Sequence, residues 1–112
     1  MKSFKEYLIL EEPNIKKSTN DNLRMAFYFS VKNAGHGCRI KVNCDYSEEF
    51  DKHNYFVVTV PEGVIIGKTE KIKERDINYF KEFVKINKDT LIKYWKKEIT
   101  ELQAKKEFKY EW

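Results

Sequence analysis

Residues 23–44, "LRMAFYFSVKNAGHGCRIKVNC", hold two runs of alternating apolar and polar side chains around a glycine-containing connection. The apolar positions are Leu23, Met25, Phe27, Phe29 and Val31 in the first run, and Cys38, Ile40, Val42 and Cys44 in the second. Successive side chains of a β-strand point to opposite faces, so this alternation predicts two strands, each with one apolar face.

A hairpin between the two runs has to place apolar residues opposite apolar residues, because a one-residue slip moves every side chain to the wrong face. Pairing Val31 with Ile40 meets this condition and places Phe29 opposite Val42. The same register gives the pairs Phe27–Cys44, Lys32–Arg39, Ser30–Lys41 and Tyr28–Asn43. The connection contains Gly35 and Gly37, which can adopt the positive φ angles of tight turns.

The outer face of this predicted hairpin combines basic residues with an aromatic ring. With the histidine of the turn, the candidate binding residues are Arg24, Tyr28, Lys32, His36, Arg39 and Lys41. Proteins that bind RNA or single-stranded DNA use cations to contact phosphates and aromatic rings to stack on bases. A solvated sheet face that Lys and Arg keep soluble has the same pattern, so both interpretations are open.

Two further strands are predicted from "YFVVTV" (55–60) and "VIIGK" (64–68), joined by the turn "PEG". In that turn Gly63 suits a left-handed position. Residues 3–10 predict a first strand or a short helix. The order of strands predicts an antiparallel sheet.

After Lys68 the apolar period changes from two residues to about 3.6, which is typical of amphipathic helices. One helix is predicted around residues 73–87, and a second is predicted to begin at Asn87 or Asp89, either of which can act as an N-cap. The six residues "EFKYEW" at 107–112 fit either a docked or a frayed segment. We therefore expect a single domain, 1–112, with an α+β fold: an antiparallel β-sheet of four to five strands followed by two C-terminal helices packed on one face.

From residue 25 to about 102, this order of features resembles a family of small prokaryotic proteins, catalogued as the domain of unknown function four-one-six-zero. The similar segments are "MAFYFS" with "GHGCRIKV", the hairpin "VVTVPEGVIIGK", and the helical "INYFKEFVKINKDTLIKYW". The family usually has a proline-rich turn with two histidines, where this chain has glycines and only His36. The resemblance implies an association with bacterial mobile elements and toxin–antitoxin loci, and no established activity.

The charge and the apolar runs of the sequence bear on two kinds of partner, anionic molecules and membranes. The net charge is +4, and the excess lies in residues 68–112, which hold thirteen Lys or Arg against nine Asp or Glu. Such an excess permits an anionic partner without requiring one. No apolar run approaches the roughly 20 residues that span a bilayer, and "MKSFKEYLILEEP" lacks the apolar core of a signal peptide. We expect a cytoplasmic protein with no membrane partner.

Motifs for catalysis or metal binding are not recognisable in the sequence, so we predict no catalytic residues, no metal and no cofactor. His36 has no nearby carboxylate in sequence, and its spacing to His53 is not that of metal ligands. Cys38 and Cys44 lie six residues apart on one strand, about 20 Å in extended chain, which is too far for a disulfide.

Three hypotheses on function remain. The sequence favours a small non-enzymatic binding or regulatory protein, associated with bacterial mobile elements or phage. It would contact nucleic acid (RNA or single-stranded DNA), or a protein or ribonucleoprotein partner, through the basic sheet face. The alternatives are a toxin-like ribonuclease of a toxin–antitoxin pair, using His36 with Arg39 and Lys41, and a phage-encoded inhibitor of a host defence complex.

Overall fold

The computed structural model describes residues 14–15, 23–29 and 37–112. In this part of the chain, strands β1 (Asn14–Ile15), β2 (Phe27–Phe29), β3 (Arg39–Asn43), β4 (Tyr55–Thr59) and β5 (Ile65–Ile66) precede helices α1 (Glu74–Trp95) and α2 (Glu101–Glu107). The strands form one antiparallel sheet in the order β1-β2-β3-β4-β5. The predicted α+β fold, with a sheet followed by two C-terminal helices, is confirmed.

The inner face of the sheet, on which α1 packs, carries the apolar side chains that the alternation predicted. Phe27 lies at its centre, with its ring centroid 5.5 Å from that of Phe80 and 5.1 Å from that of Phe83, both on α1. The fully buried large residues of the strands on this face are Ile15, Phe27, Ile40, Val42, Phe56 and Val58. Burying these side chains against the helix provides the main stabilising contribution to the fold.

The register between β2 and β3 differs from the predicted one by two residues. Phe29 lies opposite Ile40 rather than Val42, and Tyr28 lies opposite Lys41 rather than Asn43. A two-residue slip leaves every side chain on the same face, so the apolar pattern could not distinguish the two registers. The predicted pairs of Ser30, Val31 and Lys32 lie outside the described residues, as does the predicted element at residues 3–10.

Helix α1 runs without a break through the position where a second helix was expected to begin. It has 22 residues, and Asn87 lies in its interior with only 3% of its surface exposed. The Asn87 amide therefore does not cap a helix. The second helix begins later, after Thr100, whose hydroxyl accepts a hydrogen bond from Gln103 N while Gln103 Oε1 accepts one from Thr100 N. This reciprocal arrangement is a capping box.

The segment after α2 packs against helix α1 and the sheet. Phe108 is 6% exposed, and its ring centroid lies 5.1 Å from that of Phe29 and 5.4 Å from that of Phe83. The hydroxyl of Tyr79 donates a hydrogen bond to the Tyr110 carbonyl oxygen at 2.9 Å. Residues 108–110 therefore belong to the packed fold.

The first turn of α1 is held by a side chain from the loop between β3 and β4. The hydroxyl of Tyr46 donates to Asp76 Oδ2 at 2.7 Å and accepts a hydrogen bond from Lys73 N at 3.0 Å. In a capping box, the third helical residue contacts the N-cap backbone directly. Here the link between the N-cap Lys73 and the third helical residue Asp76 is indirect, because both form hydrogen bonds with the Tyr46 hydroxyl.

The β4–β5 connection contains the left-handed glycine that the sequence predicted, since Gly63 has φ of 72°. Pro61 follows a cis peptide bond. Neither of the helices in residues 37–112 combines the length and the apolar character that a membrane-spanning helix requires.

Candidate nucleic-acid interface

The outer face of the sheet is the face opposite α1, and its side chains follow from strand pairing. Tyr28 of β2 lies opposite Lys41 of β3, which lies opposite Val57 of β4, which lies opposite Ile66 of β5. The neighbouring pairs on this face are Arg39–Thr59 and Asn43–Tyr55. Side chains in directly opposite and diagonal positions are close enough to interact, so the outer face brings aromatic, basic and apolar groups together.

Lys41 lies between two tyrosine rings on this face. Its Nζ is 4.9 Å from the ring centroid of Tyr28 and 4.9 Å from that of Tyr55. An ammonium within about 6 Å of a ring centroid is attracted to the negative face of the ring. The two tyrosines therefore hold the charge of Lys41 over the sheet.

Phe50 completes this group from the loop between β3 and β4. Its ring centroid lies 4.4 Å from that of Tyr28 in an edge-to-face arrangement, and 6.0 Å from that of Tyr55. Distances of this size are typical of favourable aromatic pairs. We call the four residues Tyr28, Lys41, Phe50 and Tyr55 the tyrosine–lysine cluster. All four side chains are partly exposed.

The position of Phe50 depends on the buried side chain of Asn43 at the end of β3. Asn43 Nδ2 donates to the Glu49 carbonyl oxygen at 2.8 Å, and Asn43 Oδ1 accepts from Asp51 N at 2.6 Å. These two bonds bracket Phe50 on both sides along the chain. Because Asn43 is fully buried, its amide fixes the loop backbone and so directs Phe50 toward the cluster.

Arg39 supplies a second cation, two residues before Lys41 on the same face of β3. Its Nε is buried and has no hydrogen-bond acceptor among the residues that the structure describes. Buried donors are normally paired, and the guanidinium offers five N–H groups in a fixed plane. The Arg39 side chain as a whole is partly exposed, so its charge, rather than the buried Nε, is what this residue contributes to the outer face.

Of the predicted binding residues, Tyr28, Arg39 and Lys41 come together on the outer face. The structure places Arg24 elsewhere: its Nε lies 3.6 Å from Asp76 Oδ1 in the first turn of α1. Arg24 precedes β2, which begins at Phe27, so strand alternation does not extend to it. Lys32 and His36 lie outside the described residues, and their binding roles stay predictions.

Sequence analysis missed Tyr55, Phe50 and Asn43. Tyr55 had a usable signal, since alternation along "YFVVT" places it on the same face as the threonine at the end of β4. Phe50 and Asn43 had none, because the contact of Phe50 depends on the course of an irregular loop. Asn43 was assigned to the outer face as an ordinary polar residue.

Both cysteines are unpaired thiols on the inner side of the sheet. Burial, and to a lesser extent the charge of Glu62, raises the pKa of Cys38 to about 12. Burial also raises the pKa of Cys44, whose Sγ lies 3.1 Å from the Lys68 carbonyl oxygen. Within the described ranges, no group of three or more His, Cys, Asp or Glu side chains is arranged to hold a metal ion.

The chain matches no protein-family model, no curated protein and no solved structure. The resemblance to the domain of unknown function four-one-six-zero is neither confirmed nor contradicted, and it stays a prediction.

Proposed function

We propose that the protein is a non-enzymatic binding module that contacts single-stranded nucleic acid, RNA or DNA, through the outer face of its sheet. The observation that carries this proposal is the position of Lys41, whose ammonium lies 4.9 Å from the rings of both Tyr28 and Tyr55. Bases stack on aromatic rings, and cations beside those rings attract the phosphates of the same strand.

Each part of the cluster has a separate role in this proposal. The partly exposed rings of Tyr28 and Tyr55 offer surfaces on which a base can stack, which contributes roughly 1–3 kcal/mol per base. Lys41 and Arg39 contact the backbone phosphates, and the partial exposure of both side chains supports this role. A ligand that takes the charge of Lys41 from the rings leaves the rings free to stack.

The cluster favours single strands over duplexes. Stacking on a protein ring requires a base that is not already stacked and paired, which single strands offer and duplexes do not. The described strands are also short, the longest having five residues, and present a small surface rather than an element that enters a groove. We therefore expect weak binding to double-stranded DNA.

The test is fluorescence anisotropy with labelled single-stranded RNA, single-stranded DNA and duplex DNA of about 12 nucleotides, a length within the usual site sizes. Lys41→Gln removes the cation of the cluster, and Tyr55→Leu removes a ring. Lys85→Gln is the control, since it removes one exposed positive charge from α1. We expect Lys41→Gln to weaken single-strand binding and to reduce the slope of log K against log salt by about 1, and Lys85→Gln to leave both nearly unchanged.

Equal affinities for Lys41→Gln and Lys85→Gln would contradict the proposal, as would binding that prefers the duplex. The same samples also test the ribonuclease hypothesis. RNA that stays intact after incubation argues against the toxin-like ribonuclease, whereas RNA that is cleaved would favour it. The expected association with bacterial mobile elements is a separate proposal that rests on the resemblance, and the expected association with phage rests on the composition, which is rich in Lys, Asn and Ile.

A further inference from the structure

Two cavities near the beginning of α1 both have Tyr79 in their lining. The first has a volume of about 250 Å³ and is lined by Arg24, Arg75, Asp76, Tyr79 and Phe80. The second has a volume of about 300 Å³ and is lined by Tyr79, Tyr110, Glu111 and Trp112. None of these residues belongs to the tyrosine–lysine cluster.

The described residues that line the first cavity carry a net positive charge. The Nε atoms of Arg24 and Arg75 lie 3.6 Å and 3.8 Å from the same atom, Asp76 Oδ1. One carboxylate balances one of two guanidinium groups, so one positive charge remains among the lining residues that the structure describes. Both arginine side chains are 57% exposed, which leaves their donors accessible to a ligand. Guanidinium groups bind phosphate through two parallel hydrogen bonds, so this cavity favours a phosphate group.

The second cavity offers an aromatic surface. The Trp112 ring stacks on Tyr79 with centroids 4.8 Å apart and ring planes 29° apart, and 56% of Trp112 is exposed. The hydroxyl of Tyr110 is buried and has no hydrogen-bond partner in the described part of the chain. An exposed indole offers a surface on which a flat aromatic ring, such as a nucleobase, can stack.

We propose that these two cavities bind a nucleoside 5′-monophosphate, with the phosphate on Arg24 and Arg75 and the base beside Tyr79 and Trp112. Each cavity alone is near or below the lower end of the usual range for ligand sites, about 300–1,000 Å³. Together they suit a small ligand with two chemically different halves. The same chemistry occurs in a free mononucleotide and in the 5′-phosphorylated end of an oligonucleotide.

The test is calorimetric titration of the full chain with adenosine 5′-monophosphate, adenosine and inorganic phosphate. The monophosphate is expected to bind at least about tenfold more tightly than adenosine or phosphate, because only it occupies both cavities. Arg75→Gln and Trp112→Ala are each expected to weaken it by about tenfold or more. Lys88→Gln, at an exposed position of α1, is the charge control and is expected to change nothing.

Both altered side chains are more than half exposed, so the variants are expected to keep the wild-type circular dichroism spectrum and melting temperature. Adenosine that binds as well as its monophosphate would overturn the proposal. So would a correctly folded Arg75→Gln or Trp112→Ala variant with wild-type affinity. The source of the ligand is tested in the Lys41→Gln variant, in which binding of nucleic acid to the outer face is weakened. If this variant binds a 5′-phosphorylated oligonucleotide more tightly than adenosine 5′-monophosphate, the site is assigned to strand ends. The reverse order assigns it to free nucleotides.

Discussion

Asn87 and Lys109 are joined by two hydrogen bonds that run in opposite directions. Asn87 Nδ2 donates to the Lys109 carbonyl oxygen at 2.8 Å, and Asn87 Oδ1 accepts from Lys109 N at 2.7 Å. A side-chain amide has the same donor and acceptor as a peptide group, so Asn87 pairs with the segment after α2 much as a strand would. Asn87 Nδ2 also donates a hydrogen bond to the Phe83 carbonyl oxygen at 3.0 Å.

Replacing Asn87 with alanine is expected to lower the free energy of unfolding by about 2–3 kcal/mol, since three hydrogen bonds of about 1 kcal/mol each are lost. Amide hydrogen exchange at residues 108–110 is expected to accelerate. Urea denaturation measures the first effect and mass spectrometry the second. Asn78→Ala, at an exposed position of the same helix, is the control and is expected to stay within about 0.5 kcal/mol of the wild type. An equal effect of the two substitutions would show that the amide bonds contribute nothing.

Tyr46→Phe is expected to destabilise the protein by about 1.5–3 kcal/mol, the usual contribution of a hydrogen bond to a charged group. The substitution removes the hydroxyl that connects Asp76 with the backbone N–H of Lys73. Tyr110→Phe is the matched control, since the Tyr110 hydroxyl is buried without a partner among the described residues. Its removal is expected to be neutral or slightly stabilising. Thermal and urea denaturation of both variants measure the difference. A larger loss of stability for Tyr110→Phe than for Tyr46→Phe would show that the Tyr46 hydroxyl does not stabilise the first turn of α1.

Cys38 is expected to react slowly with iodoacetamide at pH 8 in the native protein and fast in the unfolded chain. Its pKa rises from 9.0 to about 12 on folding, and only the thiolate reacts. The native state therefore holds this proton more tightly than the unfolded chain. The contribution to stability is complete below pH 9 and is lost as the pH rises toward 12. Burial also raises the pKa of Tyr79, which acts in the same direction.

The alkaline part of this prediction is measured by urea denaturation at pH 8 and pH 10.5. Cys38→Ala is expected to lose less stability between these two values than the wild type, because one of the linked protons is gone. An identical loss in both proteins would show that Cys38 does not contribute.

Gly67→Ala is expected to cost about 1–3 kcal/mol of stability, the usual cost of a strained backbone position. Gly67 has φ of 122°, and a Cβ at this position would lie 3.2 Å from Cα and Cβ of Phe56 on β4. Gly37→Ala is the control, because no described residue other than its chain neighbours has a heavy atom within 4 Å of a Cβ placed there. Thermal melting of the two variants is the measurement. A destabilised Gly37→Ala beside an unchanged Gly67→Ala would contradict this account.

The spacing of apolar residues along the sequence was enough to predict the sheet, its apolar face and the helical segment. These features depend on which side chains are buried away from water. The register between β2 and β3 could not be predicted to better than two residues. Phe29 can meet either Ile40 or Val42 without changing face, and the choice depends on the length of the connection. For the same reason the cluster was anticipated only in part: Lys41 and Tyr28 were placed on one face, but not directly opposite each other.

Asn87 and Arg24 show where local rules fail. An asparagine between two apolar stretches has the features of an N-cap, but here a distant backbone segment supplies its partners. Arg24 follows the alternation of the strand in sequence, but it precedes the paired residues and reaches the carboxylate of Asp76. Both outcomes depend on contacts between residues far apart in the chain, which a pattern along the sequence does not contain.

The loop between β3 and β4 connects the two sides of the sheet over a span of five residues. Tyr46 reaches past the sheet to the first turn of α1, and Phe50 returns to the tyrosine–lysine cluster. Asn43 fixes the backbone around Phe50. A ligand that displaces Phe50 therefore acts on the same segment that anchors Asp76 and, through it, Arg24 and Arg75. Any coupling free energy that this loop transmits would be the same in both directions, so a ligand on the cluster and a ligand on the two arginines would change each other's affinity by the same factor.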